Sequence, residues 1–308
     1  MSTKNLGRSL LGLALVVVLG ATPTSEPRGA STYDAPAPWG HDGHLMVGRA
    51  AATHVPVDMP AFFRSEVQRL SYLSFEPDRW RDGDMPEMNG AFRYDHYIDL
   101  ENVPAAAREA PDRFQYLAVL YRETTLARPE RDAGFLPFRI VELAQRLETG
   151  FRRWRTASGE EKAWIEERIM NDAGVLGHYV ADGSNPHHAT IHFNGWSASA
   201  PNPRNFSTAS DFHSRFESAF VSAAVTPNQV RDGVVSDPEV LDDVRRAVWA
   251  YLDESNRLVE RLYQLEQDVG FDPANPRPEA AAFALERLTA GADMLRSIWY
   301  TAWVNSGG

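Results

Sequence analysis

Residues 176–196 read LGHYVADGSNPHHATIHFNGW and contain four of the nine histidines of the chain. The apolar residues that lead into this stretch, from Ile165 to Val180, recur every three or four positions, as on one face of a helix. His178 and Asp182 are four residues apart, so their side chains project from the same face of that helix. A proline then interrupts the helix before two further histidines. The stretch therefore predicts a helix that ends in a histidine–aspartate pair, followed by a histidine-bearing loop.

The same helical spacing of apolar residues runs through most of the chain from residue 42 onward. It is clearest in the segments 137–154, 241–262 and 285–299, and no run alternates apolar and polar residues as a half-buried strand would. We therefore predict an all-α fold, a single multi-helix domain that covers residues 39–308. Residues 74–104 and 183–210 have few helix formers, and we expect them to be long loops that carry histidine and aspartate ligands.

The first residues resemble an export signal. Two basic residues precede a short apolar run, which is shorter than the ~20 residues that a membrane-spanning helix needs. We interpret 1–21 as a signal peptide and 22–38, rich in proline, alanine and serine, as a leader or tether; an uncleaved apolar anchor is the alternative. The chain has no cysteine, which excludes a lipid anchor on cysteine and disulfides. We expect an exported protein, periplasmic or secreted, without a stable membrane anchor.

A second histidine–carboxylate pair follows the loop. His213 and Glu217 are again four residues apart, in the sequence DFHSRFESAF. One such pair can be an ordinary surface contact, worth a few tenths of a kcal/mol. Two pairs together with His188 in the loop between them favour a site that holds more than one metal ion. The formal net charge of −11 counts against long-range attraction to a polyanion such as nucleic acid.

Five motifs, in this order and spacing, resemble those of the bacterial zinc-dependent phospholipases C. That family shares its fold and three-zinc site with the single-strand-specific nucleases. The motifs are WGHDGHLMVGRAA (39–51), EPDRWRD (76–82), HYIDL (96–100), GHYVADGSNPHH (177–188) and FHSRFE (212–217).

The resemblance implies three Zn²⁺ ions, each bound by several residues at positions that match the ligands of the family. The first ion would take Asp78, His96, His178 and Asp182; the second His188, His213 and Glu217; the third Trp39, His44 and Asp182, whose carboxylate would bridge two ions. Asp78 would also guide the attacking water. Nitrogen and oxygen ligands suit zinc and do not exclude manganese.

Two features depart from the family pattern. The mature chains of the family begin at the tryptophan, whose free amine binds the third metal, whereas the expected cleavage here lies well before Trp39. Either a second protease trims the leader or the third site is altered, with His41 or Asp42 as possible substitutes. Asp82 and Asp84 are alternatives to Asp78 as the ligand in the EPDRWRD segment.

The family resemblance implies hydrolysis of a phosphoric ester, and the details favour the phospholipase C branch. Glu217 stands where nucleases usually have aspartate, and the chain lacks the disulfides typical of nucleases. The expected substrate is a phospholipid or another phosphodiester, with a single-strand-specific nuclease or 3'-nucleotidase as the alternative. A metal-binding module without turnover is a third hypothesis. The other histidines, His54, His187 and His192, are expected to be structural or to support ligands, and the sequence indicates no oligomeric state.

Overall fold

The structure, a computed structural model, describes residues 1, 39–234 and 237–307. The predicted leader and, apart from Met1, the predicted signal peptide lie outside the described residues. From residue 39 onward the described residues belong to one compact unit.

The described part of the chain is helical and contains no strand, which confirms the predicted all-α class. A single isolated β-bridge joins Ile98 and Gly134. Three 3-10 helices (Arg93–His96, Leu100–Asn102 and Pro186–Ala189) and one π-helix (Arg215–Phe220) accompany the α-helices. The α-helices are α1 His41–Thr53, α2 Ala61–Arg64, α3 Val67–Leu73, α4 Glu76–Arg79, α5 Pro86–Phe92, α6 Ala105–Arg108, α7 Arg113–Glu123, α8 Pro129–Ala133, α9 Leu136–Thr156, α10 Gly159–Ser184, α11 Phe212–Ser214, α12 Val221–Ala224, α13 Pro227–Gly233, α14 Val244–Arg257, α15 Val259–Asp268 and α16 Pro278–Asn305.

Helix α10 is the centre of the molecule. It packs against α9, α16, α3, α1 and α14. The first half of α10 is buried on one face only, whereas in the second half every residue from 172 to 184 is buried. A helix that is buried on all sides must satisfy its polar side chains inside the protein. The end of α10 therefore places His178 and Asp182 away from bulk water.

Small residues on α10 let its neighbours approach closely. A Cβ atom on Gly174 would lie 2.3 Å from the Cβ of Leu73, at the end of α3. A Cβ atom on Gly183 would lie 2.8 Å from Cε1 of Tyr251 on α14. These contacts require glycine, because a real Cβ atom would force the neighbouring helices apart. The close packing at Gly174 brings Ser74, the residue that follows α3, against α10.

Two of the expected segments differ in detail from the structure. Residues 74–104, predicted as a loop, contain α4, α5 and two 3-10 helices, because proline at the first turns of α4 and α5 starts short helices there. The segment 241–262, predicted as one helix, is two helices that meet at Leu258, whose amide donates to Ser255 three residues back. The second expected loop, 183–210, begins with the last two residues of α10 and the 3-10 helix Pro186–Ala189, and contains no helix from residue 190 to 210.

None of the described helices is long and apolar enough to cross a lipid bilayer.

The close approach of α3 and α10 can be tested by Gly174→Ala. We expect a loss of about 1–3 kcal/mol in the free energy of unfolding, because overpacking would exceed the gain of ~1 kcal/mol in helix propensity. Urea denaturation of the purified chain measures this loss. Gly90→Ala is the control, since nothing lies within 4 Å of a Cβ atom on that helical glycine. Equal stability of the two variants would contradict the proposed packing.

Candidate metal centre

The end of α10 and the turn after it supply three of the predicted ligands. His178 and Asp182 face the same side of α10, with Nε2 of His178 3.3 Å from Oδ2 of Asp182. The chain then turns through the 3-10 helix Pro186–Ala189, which brings Nδ1 of His188 to 3.6 Å from Oδ1 of Asp182. Helix and turn thus place two imidazoles around one carboxylate.

The segment between α3 and α6 supplies two more of the predicted ligands, Asp78 and His96. His96, the last residue of its 3-10 helix, has Nδ1 3.1 Å from Oδ2 of Asp182 and 3.0 Å from Nε2 of His178. Oδ1 of Asp78, on α4, lies 3.7 Å from Nε2 of His178 and 4.0 Å from Nδ1 of His96. The structure therefore brings together all four residues predicted for the first ion.

Helix α1 supplies His44, with Nε2 3.4 Å from Oδ1 of Asp182. The His44 ring stacks on the His178 ring with centroids 3.9 Å apart. Trp39, just before α1, is completely buried, and its indole N–H donates to the carbonyl of Ala181 at 2.7 Å. Trp39 and His44 thus both contact the end of α10.

His213 and Glu217 form the remaining pair. They are four residues apart as predicted, but the backbone between them passes from α11 into the π-helix Arg215–Phe220. Nε2 of His213 lies 2.8 Å from Oε2 of Glu217, and Nε2 of His188 lies 3.5 Å from the same oxygen. π-helical turns are rare and occur frequently at functional sites.

The ligand atoms form three groups in which all atoms lie within 4.8 Å of one another. We call them the Asp78, Glu217 and His44 groups. They consist of Asp78, His96 and His178; of His188, His213 and Glu217; and of His44, His178 and Asp182. The Asp182 carboxylate lies within 3.6 Å of a nitrogen of four different imidazoles. This position at the junction of the groups is the one expected for a bridging carboxylate.

The side chains of the three groups do not satisfy one another's hydrogen bonds, but they are suited to bind divalent metal ions. Atoms of His44, His96, Asp182, His213 and Glu217 are buried and have no hydrogen-bond partner in the described part of the chain. Buried polar atoms without partners cost free energy, typically 1–3 kcal/mol each. A cation at each group would satisfy these lone pairs, and the donor set of nitrogen and oxygen atoms suits zinc.

The electrostatics lead to the same conclusion. Burial raises the pKa of Asp182 to about 7, against the opposing effect of His188, and lowers the pKa of His178 to about 4. Burial also raises the pKa of Glu217 well above its ordinary value, with Asp182 adding to the shift. Without a cation, the interior therefore disfavours both ionised carboxylates and protonated imidazoles. Bound dications would favour the ionised carboxylates and the neutral imidazoles that ligation requires.

Backbone carbonyls orient two of the imidazoles. Nδ1 of His178 lies 2.9 Å from the carbonyl oxygen of Ser74, and Nδ1 of His188 lies 2.7 Å from that of His96. A carbonyl can only accept, so each Nδ1 carries the proton and each Nε2 presents its lone pair to the centre. This arrangement selects the tautomer that can bind a metal.

Several alternatives considered from the sequence lie away from the centre. His41 and Asp42 have half-exposed side chains that contact each other, and neither belongs to one of the three groups. Asp82 and Asp84 are exposed, and Asp82 accepts a hydrogen bond from the amide of Asp84. Asp78 is therefore the carboxylate of its segment that meets the histidines.

The other histidines are placed as supporting residues. His54 follows the last residue of α1, as expected. The His187 ring is buried against the ring of His213, with centroids 4.6 Å apart. His192 stacks on Trp196 in the loop after the 3-10 helix.

Sequence reasoning did not identify Arg81, which lies at the edge of the centre. Its Nη1 is 3.6 Å from Oδ1 of Asp78, and its side chain is 17% exposed. Asp78 is 11% exposed, whereas the side chains of the other seven predicted histidine and carboxylate ligands are at most 1% exposed. The edge with Asp78 and Arg81 is thus the accessible side of the centre. The signal was available in the sequence, because Arg81 follows Asp78 by three residues in the same motif.

Comparisons with known proteins give distant structural neighbours. No family model matches the chain, and no curated protein matches it. Among solved structures, the alpha toxin of Clostridium absonum aligns with 87% of this chain and 66% of its own, at 13% identity and a TM-score of 0.46. The alpha-toxin of an avian strain of Clostridium perfringens aligns with 87% of this chain and 65% of its own, at 14% identity and a TM-score of 0.46. The chain thus spans just under two thirds of the length of either toxin.

The central position of Asp182 can be tested by Asp182→Asn. We expect the affinity of the variant for Zn²⁺ to fall at least about 100-fold, because the carboxylate meets four imidazoles. This loss exceeds the one expected when a residue that only supports a metal ligand is removed. Isothermal titration of the full chain with Zn²⁺ measures this. Asp172→Asn is a matched control on the same helix, since Asp172 is also buried but pairs with Arg146. Comparable losses in both variants would contradict the assigned position.

Proposed function

We propose that the chain is an exported, metal-dependent phosphoric ester hydrolase of the phospholipase C type. The observation that carries this proposal is the convergence of eight buried or nearly buried histidine and carboxylate side chains into three adjoining groups. Lone histidine–carboxylate contacts serve many structural purposes, whereas adjoining clusters with unpaired ligand atoms are expected for a polynuclear metal site. The signal-like residues 1–21 support the proposed export.

The three groups would hold the ions, with Asp182 shared between them. When bound, such ions would supply Lewis-acid polarisation of a phosphoryl group and a nucleophile at neutral pH. The protein fixes the ligand geometry through the backbone carbonyls of Ser74 and His96, which orient His178 and His188. Because Asp78 is the most exposed of the predicted ligand side chains, substrate would approach from the edge with Asp78 and Arg81.

Asp78 and Arg81 would contact the substrate at that edge. The Asp78 carboxylate would accept a hydrogen bond from the attacking water and so orient it. The Arg81 guanidinium carries a permanent charge and donors in a planar arrangement that matches phosphate oxygens. It would bind the phosphate and stabilise charge that develops on its oxygens during attack.

The proposed substrate class is a phosphodiester with a small head group, as in a phospholipid. Two features support it over a nucleic-acid polymer: the net charge of −11 and the glutamate, rather than aspartate, at position 217. The same cluster of ligands would also serve a single-strand-specific nuclease, and without a correctly formed third group it would serve a metal-binding module without turnover.

These functions can be separated with two substrates and one metal analysis. The purified chain, loaded with Zn²⁺, is assayed with p-nitrophenylphosphorylcholine and with single-stranded DNA. Cleavage of the choline ester supports the proposal. Cleavage of DNA alone would assign the chain to the nuclease branch, and bound zinc without cleavage of either substrate would identify the silent module.

Removal of a ligand should abolish hydrolysis. We expect His178→Ala and Glu217→Ala to lose activity and metal content together, because His178 belongs to two of the groups and Glu217 to the third. Activity assays combined with elemental analysis test this. His54→Ala is the control and should retain both, since His54 lies outside the three groups. Full activity of the Glu217 variant would count against the assignment.

Arg81→Met should separate catalysis from metal binding. We expect kcat to fall by about 10²–10³, the range found when a donor that stabilises transition-state charge is removed. Metal content should remain that of the unsubstituted chain, because Arg81 is not a ligand. Steady-state kinetics and elemental analysis provide the two measurements. An unchanged kcat would show that the guanidinium does not act on the phosphate.

A further inference from the structure

Asn185 is a buried residue that links two of the predicted ligands through its backbone. It follows the last residue of α10 and is completely buried. Its amide donates to the carbonyl of Asp182 at 3.0 Å, and its own carbonyl accepts from the amide of His188 at 2.9 Å. The residue before a proline favours an extended backbone, so the helix ends here and the chain turns back toward the centre.

The side chain of Asn185 makes two hydrogen bonds of opposite sense. Its Oδ1 accepts from the amide of His187 at 3.1 Å, and its Nδ2 donates to Oε2 of Glu217 at 3.1 Å. A backbone amide can only donate and an ionised carboxylate can only accept. The orientation of the Asn185 amide is therefore determined by its partners, with the NH2 group facing Glu217.

Glu217 comes from the π-helix, 32 residues further along the chain. Its Oε2 receives the Asn185 donor and lies close to both imidazoles of the Glu217 group. Its Oε1 is buried and has no hydrogen-bond partner among the described residues. Asn185 thus contacts one oxygen of the carboxylate, and the other oxygen is left without a hydrogen-bond partner among the described residues.

We propose that Asn185 is a positioning residue that holds the carboxylate of Glu217 in the orientation in which it binds metal. In this role Asn185 contacts two parts of the site. Its backbone hydrogen-bonds to the backbones of Asp182 and His188, and its side chain orients Glu217 in the Glu217 group. The inference rests on the proposed metal centre. It adds a residue that would not touch the ion but would determine the affinity of one group for it.

A purely structural role for Asn185 makes a different prediction. If the residue only stabilises the turn after α10, its essential atom is the acceptor for the His187 amide. Serine can provide such an acceptor for the amide two residues on. Serine is too short to reach Glu217 in place of the Nδ2 donor. Asn185→Ser therefore keeps the turn contact and removes the carboxylate contact, whereas Asn185→Ala removes both.

The test is a Zn²⁺ titration of the full chain and of these two variants, with the unfolding temperature of each metal-free form. We expect one binding step to weaken about 10- to 100-fold in both variants, the range for loss of a residue that supports a metal ligand. The remaining Zn²⁺ binding steps of Asn185→Ser should have the same affinities as in the control variant. The unfolding temperature of metal-free Asn185→Ser should also equal that of the control. That control is Asn202→Ser, because Asn202 also makes two opposite amide contacts, with Phe206 in the loop.

A double-mutant cycle identifies the partner. In a Glu217→Gln background, Asn185→Ser should change the affinity by less than about threefold, since the interaction has already been altered. Wild-type binding by Asn185→Ser, or a weakening of all steps with a lowered unfolding temperature, would overturn the positioning role and leave the metal centre in place. If the unsubstituted chain binds no Zn²⁺, both the inference and the proposed function fail.

Discussion

The structure depends on the burial of one carboxylate, Asp182, among four imidazoles at the end of a central helix. Burial raises the pKa of this group to about 7, against the opposing effects of His188 and Arg81. A buried carboxylate charge is among the most expensive features that a protein can contain. Such an arrangement is understandable if cations complete it, and the surrounding helices then act as a scaffold for those ions.

This role as a scaffold explains why α10 is apolar and has small residues where the neighbouring helices pack against it. Leu73 packs against Gly174, so that the carbonyl of Ser74 can accept a hydrogen bond from Nδ1 of His178. The His96 carbonyl does the same for His188, so one ligand residue orients another. The orientations of these two imidazoles are therefore set by main-chain atoms of packed helices and turns. Main-chain atoms are less mobile than long side chains, which favours a cluster whose geometry does not depend on an ion.

The fold class and the two histidine–carboxylate pairs could be predicted from the sequence, because both follow from spacing. That Asp78, His96 and His44 would meet these pairs was expected only from the family resemblance. Pairs four residues apart share a helix face, and the spacing of apolar residues identified the long helices α9, α10 and α16. The short helices in residues 74–104 could not be foreseen, since their proline-started turns depend on packing. The break at Leu258 and the π-helix around Glu217 were also missed, because both are local changes in backbone hydrogen bonding. Arg81 could have been found from its position three residues after Asp78. The contact of Asn185 with Glu217 joins residues 32 positions apart, which spacing does not reveal.

The eight side chains of the three groups come from positions between His44 and Glu217, so ions bound there would cross-link remote parts of the chain. The protein contains no cysteine, and disulfides cannot provide such links. Each ion would close loops of many residues and so reduce the entropy of the unfolded chain, much as a disulfide does. Resistance to unfolding and proteolysis would then depend on metal supply. A chelator would lower the stability of the fold.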